Sequence, residues 1–208
     1  MPIRPVTREL LVEMLVERIT TTRPDGWVRV GVDGPPAAGP DVLAGALVDP
    51  LRVRGRPARH VSTSDFLRPA SVRFEHGREN PDSLYEDWWD FAGLRREVLE
   101  PLEPGGTGRI LPTLWDAAID RATRAGYEAV PEGGVVLVSG PLLLGGGLPF
   151  ELTVHLALSP AALARRTEPE QAWTLPAYAR YADEVAPWTF ADIVVRVDDP
   201  RRPALEEP

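Results

Sequence analysis

The residues with the most chemical meaning lie between Gly34 and Asp41. A strand-like run, Val28-Arg-Val-Gly-Val-Asp-Gly34, leads into the turn Pro35-Pro-Ala-Ala-Gly39, and Asp41 to Leu47 has helical character. A strand, glycine loop and helix carrying G-x-x-x-x-G-K-[ST] cradles phosphates. Backbone N–H groups and the helix N-terminus hold the anion, the lysine neutralises it, and the hydroxyl ligates magnesium. Here Gly34 and Gly39 hold the glycine positions, Pro40 stands where the lysine belongs, and Asp41 where the hydroxyl belongs. Pro40 removes an N–H donor. Asp41 puts a negative charge where the substrate's charge would go. Both residues suit the start of a helix. These residues therefore favour a loop whose anion site is filled by the protein's own carboxylate over tight triphosphate binding.

The chain must supply elements to position such a loop. Its 208 residues correspond to one domain, or one domain with a small lid. All 23 basic residues are arginine, and the net charge is −8. An acidic chain without a basic run argues against nucleic-acid binding. The absence of cysteine excludes disulfides, thiolate catalysis and cysteine–zinc sites. His60, His76 and His155 are far apart and lack metal-ligand spacing, so no metal site is expected from them. No apolar run reaches the 18 or so residues of a membrane span, and no signal segment is evident, so a cytoplasmic protein without membrane contact is the expectation.

Leu10, Leu11, Met14, Leu15 and Ile19 recur at helical spacing, with Thr7 as the N-cap. Strands are predicted over 27–32, 58–63, 135–138, 152–158 and 193–197. Helices are predicted over 41–53, 81–99, 161–166 and 175–185. A hairpin is predicted between 109–115 and 127–130. Strands alternating with helices argue for an α/β fold, a parallel sheet with helices on both faces. The expected organisation is an N-terminal helix over 1–26, a main domain over 27–203 and a tail over 204–208, the last eight residues fraying.

The order of these segments resembles the uridine kinase-like P-loop phosphotransferases of actinobacteria. The similarity rests on Val30-Gly-Val-Asp-Gly-Pro35, Ser64-Asp-Phe-Leu-Arg-Pro69, Asn80-Pro-Asp-Ser-Leu-Tyr85, Pro112-Thr-Leu-Trp-Asp116, Val135-Val-Leu-Val-Ser-Gly140 and Ala191-Asp-Ile-Val-Val195. It implies a three-layer P-loop NTPase sandwich with a five-stranded parallel sheet and a short lid over about 165–188. It also implies ATP and magnesium as cofactors and a small hydroxyl compound as acceptor. The family places a carboxylate after the second strand as base; here Ser64 takes the first position of that pattern and Asp65 the second. The family's later acid is replaced by Ser139 before Gly140. Its substrate loop survives around Trp115 and Asp116, and its lid arginines correspond to Arg165, Arg166 and Arg180. Arg68 is the candidate to replace the missing lysine.

Ligands of open α/β sheets bind in the crevice at the carboxyl ends of the strands. That rim would carry Asp33, Asp41, Ser64, Asp65, Arg68, Trp115, Asp116, Ser139 and Arg165. Asp65 and Asp116 are the candidate catalytic residues. Gly34, Gly39, Pro40, Asp41, Arg165 and Arg166 would face a cofactor; Asp33, Ser64, Arg68, Trp115 and Arg180 would face the substrate. Trp88 reads as core, while Trp89 lies on another face of its helix, near the pocket or half exposed. Three readings stay open. One is a phosphotransferase with an unorthodox phosphate site. The second is a pseudo-kinase binding a small molecule or a protein, with homodimerisation through an apolar patch as one form. The third is a repurposed enzyme using pocket carboxylates without a nucleotide.

Overall fold

The computed structural model describes residues 3–206. The chain runs β1 (Ile3–Pro5), α1 (Arg8–Thr22), β2 (Val28–Asp33), α2 (Pro40–Val53) and β3 (Ala58–Ser62). Short helices α3 (Ala70–Arg73), α4 (Pro81–Asp87) and α5 (Phe91–Leu94) follow. Next come the small strands β4 (Arg109–Ile110), β5 (Trp115–Asp116), β6 (Arg121–Ala122) and β7 (Glu128–Ala129). The chain closes with β8 (Val135–Gly140), β9 (Leu152–Ala157), α6 (Pro160–Arg166), α7 (Leu175–Glu184), β10 (Ile193–Arg196) and β11 (Ala204–Glu206).

The central sheet has seven strands in the order β1-β11-β10-β9-β2-β8-β3. The expected five form its parallel part, β10-β9-β2-β8-β3. The tail expected to fray instead supplies β11, which pairs antiparallel with β10 and β1. Leu205 is the apolar residue that draws it in: it is buried in the main core.

Alternation along the strands sorts the sheet into two faces. Val28, Val30 and Val32 of β2 and Val135 and Leu137 of β8 pack with Leu15 and Ile19 of α1 and Leu47 and Leu51 of α2. Val61, Val136 and Val138 face the opposite way, onto Phe66, Leu94, Val98, Leu99 and Leu102. This is a three-layer α/β sandwich. A third cluster, with Leu84, Trp89, Leu142, Leu144 and Tyr181, joins α4 and α7 above the strand ends.

Two expectations are corrected. The helix predicted over 81–99 is interrupted at Trp88–Asp90, because that stretch pairs with 66–68 instead. Arg68 N–H donates to the Trp88 carbonyl at 2.9 Å and Asp90 N–H to the Phe66 carbonyl at 2.7 Å. Asp90 then caps α5 through Gly93 N–H at 2.8 Å. The predicted hairpin divides into two small antiparallel pairs, β4 with β7 and β5 with β6.

Candidate functional site

β2, β3 and β8 end together, so the loops after them form one crevice. Its β2 side is the Gly34–Asp41 loop. Pro36–Ala38 make a tight 3₁₀ turn, and Gly39 turns the chain into α2 with φ 79°, a left-handed conformation that a side chain disfavours. Pro35, Pro36 and Pro40 have no N–H. The N–H groups of Ala38 and Gly39 donate within the loop, to the Pro35 carbonyl at 2.8 Å and the Pro36 carbonyl at 3.0 Å. The turn of a phosphate loop is present, with its Ala38 and Gly39 donors engaged inside it.

Asp41 does not fold back onto this loop. Its carboxylate is bonded instead to side chains of β3 and β8, namely Ser139, His60 and Ser62, which overturns the expectation that it fills the anion site. The reason lies in the neighbouring strands. Ser62 and Ser139 are register partners in parallel strands, and His60 lies on the same face as Ser62. Asp41, on the first turn of α2, reaches down to them. The fully buried Ser139 hydroxyl donates to Asp41 Oδ1. His60 Nε2 lies 2.6 Å from Ser139 Oγ and 3.7 Å from Asp41 Oδ1. Partial burial opposes ionisation of Asp41, but hydrogen bonds from His60, Ser139 and Ser62 outweigh it. The Asp41 carboxyl is held below the usual carboxylate range.

Asp65 shifts the other way. Burial is the main cause, a hydrogen bond with Thr113 opposes it, and the negative charge of Asp41 adds to it. Its carboxyl lies above the usual range. Ser64 is exposed and shares a 2.8 Å hydroxyl contact with Ser62.

Other predicted rim residues lie elsewhere. Asp33 is fully buried beneath the crevice. Its Oδ1 accepts from Leu143 N–H at 2.9 Å, and its Oδ2 lies 2.7 Å from His155 Nδ1 and accepts from the Tyr181 hydroxyl at 3.3 Å. These bonds pin the 141–144 turn, where Leu142 has φ 61°, a strained value for a branched side chain. Asp33 is thus a structural anchor rather than a rim residue. Asp116 is exposed and caps the β5–β6 turn through Ala118 N–H at 2.9 Å, and Trp115 Nε1 donates to Asp120 at 3.1 Å. Both belong to that hairpin rather than to the crevice. Arg68 is paired with Asp87 at 3.6 Å and does not stand in for a lysine at the loop. Arg180 contacts Asp82, Glu86 and Glu184 at 3.1, 2.8 and 2.9 Å, which fastens α7 to α4. Arg165 is exposed at the end of α6. Arg166 donates to the Val197 carbonyl at 2.6 Å.

The open part of the crevice is a hollow of about 190 Å³ whose lining includes Pro40, Asp41, Ser62, Ser64, Trp88, Trp89 and Tyr178. Across shared residues Pro36, Gln171, Thr174 and Tyr178 it adjoins a second hollow of about 320 Å³. Both tryptophans reach the hollow: Trp89, expected near the pocket or half exposed, is buried, and Trp88 is partly so. Sequence reasoning missed His60 and Tyr178. His60 was legible in part, since it alternates with Ser62 on a strand ending at the crevice.

No protein-family model matches the chain, and no curated protein matches its sequence. Solved structures do match its fold. A possible uridine kinase from Bacillus stearothermophilus superimposes with TM-score 0.71 at 19% identity, covering 89% of this chain and 98% of that one. A provisionally assigned fructose transport system kinase from a Silicibacter species gives 0.59 at 23%, covering 88% and 92%. A D-glycerate 3-kinase from Cryptococcus neoformans gives 0.53 at 15%, covering 85% and 80%. The fold is that of P-loop kinases.

Proposed function

We propose that this chain uses the P-loop kinase fold as a scaffold to bind a small organic molecule in the hollow at Trp88, and that ordinary phosphoryl transfer from ATP is lost. The observation that carries this reading is the loop from Gly34 to Asp41. Its Ala38 and Gly39 N–H groups are engaged by its own carbonyls, and three of its positions are proline. The residues present do not fit a magnesium–triphosphate group. No lysine exists in the chain, Asp41 brings negative charge to the loop, and Ser139 cannot supply a carboxylate. Phosphoryl transfer depends on positioning and charge stabilisation. Loss of one stabilising donor costs on the order of 10²–10³ in rate, and such parts act as a unit.

Calorimetric titration with ATP plus magnesium, and with ADP, tests this. Absence of binding heat together with an unchanged unfolding temperature is expected. Micromolar binding would overturn it and return the chain to the phosphotransferases named for uridine, fructose transport and D-glycerate that share its fold. A second reading, acid–base catalysis without a nucleotide, is favoured by one observation: the raised carboxyl of Asp65.

A further inference from the structure

The hollow at Trp88 joins aromatic side chains to a carboxylate, and among the described residues no cationic side chain is in its lining. Trp88 and Trp89 stand with ring centroids 6.2 Å apart and planes at 43°, and Tyr178 closes the α7 side. Asp41 is 56% exposed at the hollow's edge. Basic groups nearby are held back. His60 is outside the hollow's lining, 3.7 Å from Asp41 Oδ1. Arg166 borders the adjoining hollow but not this one, and it is bonded to the Val197 carbonyl. Arg180 is engaged by three carboxylates.

Resting on the binding reading above, we propose that this hollow takes a small organic cation, an amine or quaternary ammonium with an apolar body. Its charge lies beside Asp41 and its body against the indole rings. An anionic ligand would meet the charge of Asp41. A neutral polyol would leave that charge uncompensated and gain little from the tryptophans. A cation gains from both, because the faces of aromatic rings carry negative potential. The Arg73 guanidinium also lies 5.4 Å from the Trp88 ring centre; it is outside the hollow's lining and is paired with Asp120 at 3.7 Å. The hydroxyls of Ser62 and Ser64 can accept N–H donors from a primary amine.

Three probes of one shape separate the alternatives: phenethylamine, 2-phenylethanol and phenylacetate, titrated into the full chain at neutral pH by calorimetry and tryptophan fluorescence. The amine is expected to bind about tenfold or more tighter than the alcohol, with the acetate weakest. The amine's advantage should shrink between about 0.02 and 0.5 M salt and disappear in Asp41→Asn. The cation inference is overturned if the alcohol or the acetate binds as tightly as the amine, if the preference survives Asp41→Asn, or if no probe saturates by about 10 mM. If Asp41→Asn does not fold, the salt dependence of the unaltered protein decides: an amine advantage that does not respond to salt overturns the inference. A neutral probe preferred with no ATP binding overturns only this inference. Micromolar ATP binding overturns the function proposed above, whatever the amine does.

Discussion

The two sides of the crevice above the sheet are held by different means. On the β2 side, the loop from Gly34 to Gly39 is closed by its own hydrogen bonds and by proline geometry, with the buried Asp33 network beneath it. On the β3–β8 side, the rim is open. Serine hydroxyls and two tryptophans, with Asp41 reaching across from the first turn of α2, face an open hollow. In a working phosphate loop the first side would be the open one, since its N–H groups must wait for a ligand. Here the Ala38 and Gly39 amides already donate to loop carbonyls, and exposed hydroxyl, carboxylate and indole groups are left on the acceptor side. The first side should therefore respond to substitution as structure, and the second as a ligand site.

The sharpest test of that contrast is Asp33→Ala. It removes the partner of His155, of the Leu143 N–H and of the Tyr181 hydroxyl in a fully buried setting. A loss of about 3–5 kcal/mol in urea unfolding is expected. Gly39→Ala comes next: a side chain at φ 79° should cost about 1–2 kcal/mol by the same measurement. On the open side the effects should be smaller and depend on pH. The folded-state pKa of Asp41 is depressed, so its contribution is full above the ordinary carboxylate value and is lost as pH falls through the depressed one. Its exposure weakens that contribution by solvent screening. Stability curves of the unaltered protein and Asp41→Asn should therefore converge as pH drops below about 4. Asp65 has the opposite sign, with its folded-state pKa raised. The stability it provides relative to an ordinary carboxylate is present at low pH and lost as pH rises through the raised value. Asp65→Asn should stabilise the protein at neutral pH by under about 1 kcal/mol, with the gain fading toward pH 4. Destabilisation at neutral pH would show that the ionised carboxylate is needed for folding.

The parts of the fold that were legible are those where a local pattern and the tertiary environment agree. Thr7 caps α1, and the five parallel strands fall where the sequence placed them; the central pair β2 and β8 are buried on both faces. The break at Trp88–Asp90 was not legible: a long amphipathic pattern reads as one helix, and the competing pairing with 66–68 is tertiary. The strand at 204–206 was hidden for a similar reason, since its partner β1 lies at the opposite end of the chain. Within the site, the unusual residues Pro40 and Asp41 were plain. Where Asp41 points was not, because its partners His60 and Ser139 come from strands that only the sheet order brings together. Asp33, Asp116 and Arg180 looked like site residues because charged residues at strand and helix ends often are. Asp33 and Arg180 are instead engaged by His155 and Asp82, partners far off in the chain, and Asp116 caps its own turn.

The central claim is that the Gly34–Asp41 loop is a closed turn. The most direct measurement follows the backbone amide signals of Ala37, Ala38, Gly39 and Asp41 by nuclear magnetic resonance as ATP and magnesium are added to labelled protein. The account predicts that these signals stay where they are, because Ala38 and Gly39 already donate within the loop. Saturable shifts of those amides at micromolar nucleotide would contradict it and show that the loop opens into a phosphate cradle.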